Sequence, residues 1–149
     1  MPLEEMLKDV QALEDLEAIK NLHSEYIFYL RNRQFKEMID CFADDAVLEI
    51  RDFSARVGKA EIAQLFTDHI PNESNIPRGN SLVQPVITVE GDTAKGHWLL
   101  YHFRCDYNKI PGKDYLSEWQ QGYYDCEYVR VNGTWKFGRL KFISPWPQH

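Results

Sequence analysis

The features that most constrain the fold are two long segments, residues 93–107 and 115–131, in which successive side chains alternate between two faces. A period of two predicts β-strands with one face turned to the core. Shorter segments of the same period, 81–89 and 134–143, flank them, and Asn132-Gly133 is a strong hairpin-turn signal. Four such strands in succession predict an antiparallel meander. Strands of this length twist, so we expect the sheet to curl.

The N-terminal part has a different period, with apolar residues at steps of three and four, as on one face of a helix. This pattern predicts a first helix over 13–30, with an extension towards the N-terminus left open, and a shorter second helix over 35–42. Asp44-Asp45 ends the helical pattern, and a short strand over 46–50 and a third helix opening at Gly58 are predicted after it. Residues 71–79, rich in Pro, Asn, Ser and Gly, predict a loop. The apolar stripe of the first helix is Leu13, Leu16, Ile19, Leu22, Tyr26 and Leu30. Helices followed by a meander define an α+β class. We expect one domain over residues 1–149: a cone-shaped, curved antiparallel sheet wrapped around three helices and enclosing one apolar pocket.

Composition excludes several classes of function. The net charge is −6 and no cluster of Lys and Arg is present, which argues against nucleic acid as a partner. No apolar run approaches the roughly 20 residues of a membrane span, and residues 1–10 lack the pattern of a signal peptide. The three cysteines form no CxxC pair, so we expect no disulfide framework and a reducing, cytoplasmic location.

Four segments resemble one protein family: residues 35–47, with Phe42-Ala43-Asp44-Asp45-Ala46, and residues 57–62, 85–94 and 122–137. They resemble the SnoaL-like family of the nuclear-transport-factor-2-like (cystatin-like) superfamily. Its relatives include scytalone dehydratase, bile acid 7α-dehydratase, ketosteroid isomerase and polyketide cyclases. The resemblance covers about residues 13–143. It implies the same cone, and the opening of the first helix is most similar to the dehydratases.

The residues of the dehydratase site are only partly present. The family's dehydratases use an aspartate–histidine pair assisted by tyrosines, because an elimination needs a proton acceptor and a proton donor. The resemblance assigns the helix tyrosine to Tyr26, but Arg31 stands at the aspartate position and Asn80 at the histidine position. Both members of the pair are therefore replaced. Arg31 either binds an anionic group of a ligand or pairs with a surface carboxylate.

A substitute acid or base is available on the strand 93–107. Its inward face is predicted to carry Ala94, Gly96, Trp98, Leu100, His102 and Arg104. Imidazole titrates near neutral pH, so His102 is the preferred candidate for proton transfer, with Tyr26 as a donor to the substrate oxygen and Asn80 as an orienting group. The alternative is a buried histidine that only holds a neighbouring strand. Glu118 either pairs with His102 across the sheet or lies at the sheet edge in water.

The remaining candidates are ligand-binding residues. Trp98, Gln120 and Tyr124 are predicted to face inward with Glu118, and Arg31 completes this set, although packing alone would also explain the aromatic members. His97 is expected to face outward, and His23 and His69 to be solvated helix residues. No HxH or HxxxH spacing indicates a metal site, and no glycine-rich phosphate loop is present. We therefore expect no metal and no cofactor.

Together these observations favour a cofactor-independent lyase or isomerase acting on a hydrophobic polycyclic or aromatic hydroxy or keto compound. A non-catalytic module for ligand binding or dimerisation is the first alternative, and a small subunit of a ring-hydroxylating dioxygenase is the second. We also expect a homodimer or higher homo-oligomer through the outer face of the sheet, where Leu99, Tyr101, Phe103, Tyr123 and Val129 supply apolar surface.

Overall fold

The computed structural model describes residues 2–51, 53–68, 78–106 and 116–146, and the side chains within 2–51, 53–68, 80–102 and 119–144. In these residues the helices are α1 (Leu3–Arg31), α2 (Phe35–Ile39) and α3 (Lys59–Asp68). The strands are β1 (Phe42–Ile50), β2 (Arg56–Val57), β3 (Arg78–Glu90), β4 (Thr93–Asp106), β5 (Leu116–Val131) and β6 (Thr134–Trp146). The predicted loop over 71–79 falls mostly outside the described residues, except that Arg78 and Gly79 belong to β3.

The described strands form one open sheet in the order β2-β1-β6-β5-β4-β3. Strands β3 to β6 are the predicted antiparallel meander, and β1 adds to it by pairing parallel with β6. Asn132 and Gly133 both have positive φ, 51° and 81°, as a tight type I′ hairpin turn requires. The α+β architecture with a curved sheet around N-terminal helices is thus confirmed.

The core lies between the helices and one face of the sheet. On β4 and β5 alternate residues are buried, among them Trp98, Leu100, Tyr124 and Tyr128, and Ile19 of α1 packs with them. These buried side chains define the inner face of the sheet, and their neighbours define the outer face.

Three local predictions were wrong. Leu13, expected in the buried stripe of the first helix, is 66% exposed; the helix itself extends before residue 13 and starts at Leu3. Helix α2 ends at Ile39, because the chain enters β1 at Phe42. Strand β1 starts at Phe42, four residues before the predicted residue 46, so Asp44 and Asp45 lie within it, with both residues exposed. Carboxylates are tolerated in this strand because their side chains stay in water.

An ion pair fastens α1 to the ends of both long hairpins. The Arg130 guanidinium donates to both carboxylate oxygens of Asp15, at 2.7 and 3.1 Å, and also to Asp92 at 2.9 Å. Trp135 Nε1 donates to Asp15 at 3.2 Å, and the Arg130 side chain lies 4.6 Å from the Trp135 ring centroid. Arg130 holds the pKa of Asp15 below its usual range, although burial opposes this. The contact sets the position of α1 along the sheet.

Candidate functional site

Three of the predicted site residues lie side by side on the inner face of the sheet. The register places Asn80 of β3 opposite His102 of β4, and His102 opposite Gln120 of β5. All three side chains are half-buried. Neighbouring strands are about 4.8 Å apart, so this polar row spans about 10 Å across the sheet. The next row on the same face is apolar, with Leu82 opposite Leu100.

His102 is oriented by its neighbour in the row. Its Nε2 contacts the carboxamide oxygen of Gln120, an acceptor, so Nε2 carries the proton and donates it. In the neutral ring the lone pair is then on Nδ1, which is the nitrogen able to accept a proton. Glu118 is not directly opposite His102: its backbone lies opposite Arg104, two residue pairs further along the same strands. The Glu118 side chain lies outside the described residues, so its ligand-binding role stays a prediction.

The other inward-facing candidates form a separate cluster. Tyr26, Trp98 and Tyr124 are buried, with 1%, 4% and 3% of their surface exposed. Tyr26 packs edge-on against the Phe137 ring at 5.4 Å. Trp98 is four residues from His102 along β4, a distance of about 13 Å. The aromatic cluster and the polar row are therefore at different depths of the inner face. Tyr26 is therefore placed with Trp98 and Tyr124, and no described contact joins it to His102.

His23 lies at the centre of this aromatic cluster. It was predicted to be a solvated helix residue, and that prediction was wrong. His23 is fully buried, and its ring lies 4.6 Å from Tyr124 and 5.0 Å from Trp98. Its Nδ1 is 3.0 Å from the Tyr128 hydroxyl, which also accepts a hydrogen bond from Trp98 Nε1 at 3.0 Å. Its Nε2 is buried and has no hydrogen-bond partner among the residues that the structure describes.

The helical periodicity contained the signal for His23. Residues 19, 23 and 26 follow one another at steps of four and three, so position 23 lies on the face of α1 that packs into the core. Burial lowers the pKa of His23 to about 3 and raises the pKa values of Tyr26, Tyr124 and Tyr128. The cluster is therefore uncharged near neutral pH.

Arg31 lies apart from both groups. It is exposed in the last turn of α1, and its guanidinium carbon is 5.8 Å from the ring of Phe28, itself 49% exposed. This cation–π contact is weak in water. The proposed role of Arg31 in binding an anionic group therefore gains no support from its position and stays a prediction.

The outer face carries a different constellation. His97 Nδ1 is 2.7 Å from a carboxylate oxygen of Asp125, and both side chains are substantially exposed. They line an open groove of about 400 Å³ together with Lys95, Glu127 and Lys141. This groove lies on the outer face and is distinct from the apolar pocket predicted inside the cone, which stays a prediction. Within the described part of the chain, no three His, Cys, Asp or Glu side chains are placed to hold a metal ion.

The arrangement of helices and curved sheet is a cystatin-like fold. A nuclear-transport-factor-2-like protein with a cystatin-like fold from Novosphingobium aromaticivorans is similar, with a TM-score of 0.83 at 20% identity, covering 99% of this chain and 92% of its own. A model of the SnoaL-like domain matches residues 11–141, and the chain belongs to that family.

Two further solved structures are similar. A type 2 hexachlorocyclohexane dehydrochlorinase (LinA) has a TM-score of 0.81 at 19% identity, over 93% of this chain and 90% of its own. A Novosphingobium aromaticivorans protein provisionally named an aromatic ring hydroxylase has a TM-score of 0.74 at 27% identity, over 91% and 92% of the two chains. No curated protein matches the sequence. None of the described helices is long and apolar enough to cross a membrane.

Proposed function

We propose that the protein is a cofactor-independent lyase or isomerase that acts on a hydrophobic cyclic compound, with His102 as its proton-transfer residue. The observation that carries this proposal is the polar row on the inner face. There His102 is half-buried, fixed in one tautomer by Gln120 and flanked on β3 by Asn80. A fixed imidazole beside an apolar wall is suited to removing a proton from carbon.

The proposed reaction needs one residue that both takes and returns a proton. His102 Nδ1 removes a proton from the carbon next to the one bearing the leaving group, and the C–H electron pair forms the double bond. The leaving hydroxyl departs as water after it receives a proton from the imidazolium, which restores neutral His102. Returning the proton to a different carbon gives an isomerisation instead. Asn80 and Gln120 orient the ring and the substrate oxygen.

The substrate class follows from the surroundings of His102 and from the similar proteins. The row beside His102 contains Leu82 and Leu100, with Trp98 and Tyr124 beyond, so a ligand that reaches His102 meets mainly apolar side chains. The names of two similar structures refer to hexachlorocyclohexane and to aromatic rings, both carbocycles of low polarity. We propose a six-membered or polycyclic carbocycle that carries a hydroxyl, keto or halogen group.

A panel of such compounds tests the proposal. Each is incubated with the protein, and the loss of water or hydrogen halide, or a shift of a double bond, is followed by mass spectrometry and NMR. For any compound that is converted, His102→Asn should lower kcat by roughly 10²- to 10⁴-fold, the usual contribution of a general base. His97→Asn is the matched control, because His97 is on the same strand but on the outer face. Equal turnover by His102→Asn and wild type would refute the role of His102.

A second candidate function is a non-catalytic binding module. It is favoured by Arg31 and Asn80, which stand where the family's dehydratases carry the proton-transferring aspartate and histidine. A compound that raises the melting temperature and is recovered unchanged supports this candidate. For the compartment, we propose the reducing cytoplasm, because the thiols of Cys41 and Cys126 are buried and unpaired.

A further inference from the structure

The N-terminal part of α1 projects from the body of the domain. Every residue from 2 to 14 is exposed, and burial in the core starts at Asp15. Five of the exposed residues are large and apolar, and each leaves about half or more of its surface in water: Leu3 69%, Met6 49%, Leu7 59%, Val10 51% and Leu13 66%. We call these five residues the N-terminal stripe. The SnoaL-like domain begins at residue 11, so most of the stripe precedes it.

The stripe cannot fold back onto its own domain. Successive residues of an α-helix are about 100° apart around the axis, which places the stripe about 180° from the core-facing residues of α1, such as Ile19 and Tyr26. A straight helix buries only one of these two opposite faces against the sheet. The stripe offers apolar surface on the order of 500 Å², the size of the largest patches on monomeric proteins, which are often functional.

The spacing of the stripe is that of a helix–helix interface. Leu3, Met6, Val10 and Leu13 follow at steps of three, four and three, as the a and d positions of two heptads do. This spacing is symmetric about residue 8. A second copy of the helix, laid antiparallel, therefore matches it layer by layer, with Leu3 against Leu13 and Met6 against Val10.

The fifth apolar residue favours the antiparallel arrangement. In a parallel pair the e position of one helix faces the g position of the other, so Leu7 would lie beside Pro2 of the second copy and Asp9 beside Glu14. In an antiparallel pair e faces e and g faces g, so Leu7 meets Leu7 of the second copy beside the two-fold axis. The like charges that then meet are one Asp9–Asp9 pair, against two Asp9–Glu14 pairs in the parallel arrangement. All five stripe residues are then buried, and both copies use the same surface, as in an isologous dimer.

We propose that the N-terminal stripe is a self-association surface, through which two copies of the chain pair their α1 helices antiparallel about a two-fold axis near residue 8. Two stripes bury on the order of 1,000 Å² in total, at the lower limit for a specific interface, so the dimer is weak and reversible.

This surface differs from the one expected from the sequence. On the outer face of the sheet Leu99, Tyr123 and Val129 are half-buried, and Tyr101 is 37% exposed. Val86 and Trp119 on the same face are 68% and 56% exposed, but the charged side chains of the His97–Asp125 groove interrupt the apolar surface of this face, whereas the stripe is continuous. Tyr101 is therefore the right position at which to test the competing interface.

The experiment introduces a charge of either sign at Leu7 in the full chain. The dimer Kd is measured by sedimentation equilibrium over a wide concentration range. Leu7→Glu and Leu7→Lys should each raise the dimer Kd on the order of tenfold or more, since both place like charges beside the axis. An equimolar mixture of the two variants should restore a heterodimer at least as tight as the wild-type dimer. Because Leu7 is exposed, the circular dichroism spectrum and melting temperature of dilute protein should stay unchanged.

Matched controls separate this surface from the others. Lys8→Glu, one residue away but off the stripe, and Tyr101→Glu, on the outer face of the sheet, should leave the Kd of the dimer unchanged. A wild-type protein that stays monomeric at several hundred micromolar overturns the proposal. So does a dimer that survives Leu7→Glu, or one that is lost with Tyr101→Glu. A mixture of Leu7→Glu and Leu7→Lys that associates no better than either variant alone overturns the antiparallel register.

Discussion

His23 makes the stability of the fold depend on pH in a calculable way. Its pKa is about 3 in the folded protein, where desolvation disfavours the imidazolium, against about 6.5 in an unfolded chain. The unfolded state therefore binds more protons between these values, and unfolding becomes easier as the pH falls. The stability is fully present above about pH 6.5 and is lost progressively below it. At 1.36 kcal/mol per pKa unit, the loss at pH 5 relative to pH 7.5 is about 2 kcal/mol.

The other groups around His23 do not obscure this effect. Tyr26 of α1 and Tyr124 and Tyr128 of β5 have raised pKa values and stay neutral, and Trp98 of β4 and Phe137 of β6 do not titrate. Asp15 has a lowered pKa, so its contribution is lost only in more acid solution than this window.

Urea unfolding at fixed protein concentration, at pH 7.5, 6.5, 5.5 and 5.0, tests the prediction. The wild-type protein should lose about 2 kcal/mol more than His23→Phe or His23→Gln over this range. In parallel, the C2 proton of His23 should show no NMR titration between pH 7.5 and 5. A His23 resonance that titrates near pH 6.5, or equal slopes in all variants, would refute the reasoning.

Three further predictions concern stability and reactivity. Asp15→Asn should cost about 2–4 kcal/mol in urea unfolding, because it weakens a buried charge pair with Arg130, whereas the exposed Asp9→Asn should cost nothing measurable. Gly96→Ala should cost about 1–3 kcal/mol, because its Cβ would lie 2.8 Å from the Tyr128 ring; Gly138→Ala meets nothing closer than 3.6 Å and is the control. In a Cys105→Ser background, Cys41 and Cys126 should react with a thiol reagent only after unfolding, since burial raises both pKa values, that of Cys41 to about 12. Rapid labelling of the native protein would contradict this last expectation.

Local patterns predicted most of the sheet. The strands of the meander alternate with period two, and turns with Gly91 and Gly133 join β3 to β4 and β5 to β6. These two hairpins are therefore predictable from residues close together in the sequence. The parallel pairing of β1 with β6 brings together segments about 90 residues apart, and no local pattern specifies it. The same applies to the Asp15–Arg130 ion pair, which needs α1 and two hairpins in their final positions.

Errors in α1 arose from treating hydrophobicity as a guide to burial. Leu13 is apolar and exposed, while His23 is polar and fully buried. The stripe at 3–13 and the core face from residue 15 onwards are on opposite sides of one continuous helix, so the apolar pattern changes face within α1. A single apolar stripe drawn along the whole helix therefore combines residues from two opposite faces. The spacing of residues around the helix is sufficient to place His23 on the core-facing side of α1, provided that the face is assigned before the residue type is considered.

Burial decides which of the two inward histidines is suited to proton transfer. His23 is enclosed by aromatic rings, is a much weaker base than free imidazole, and is out of contact with solvent. His102 is half-buried and held in one tautomer by Gln120.

The two residues therefore predict different variant behaviour on any compound that the protein converts. His102→Asn should lower kcat without lowering stability by more than about 1 kcal/mol, since the hydrogen bond to Gln120 is part-exposed. His23→Phe should change the free energy of unfolding and its pH dependence, and leave the pH profile of kcat intact. The reverse pattern would show that the buried imidazole, despite its lowered pKa, is the one in contact with the reacting atoms.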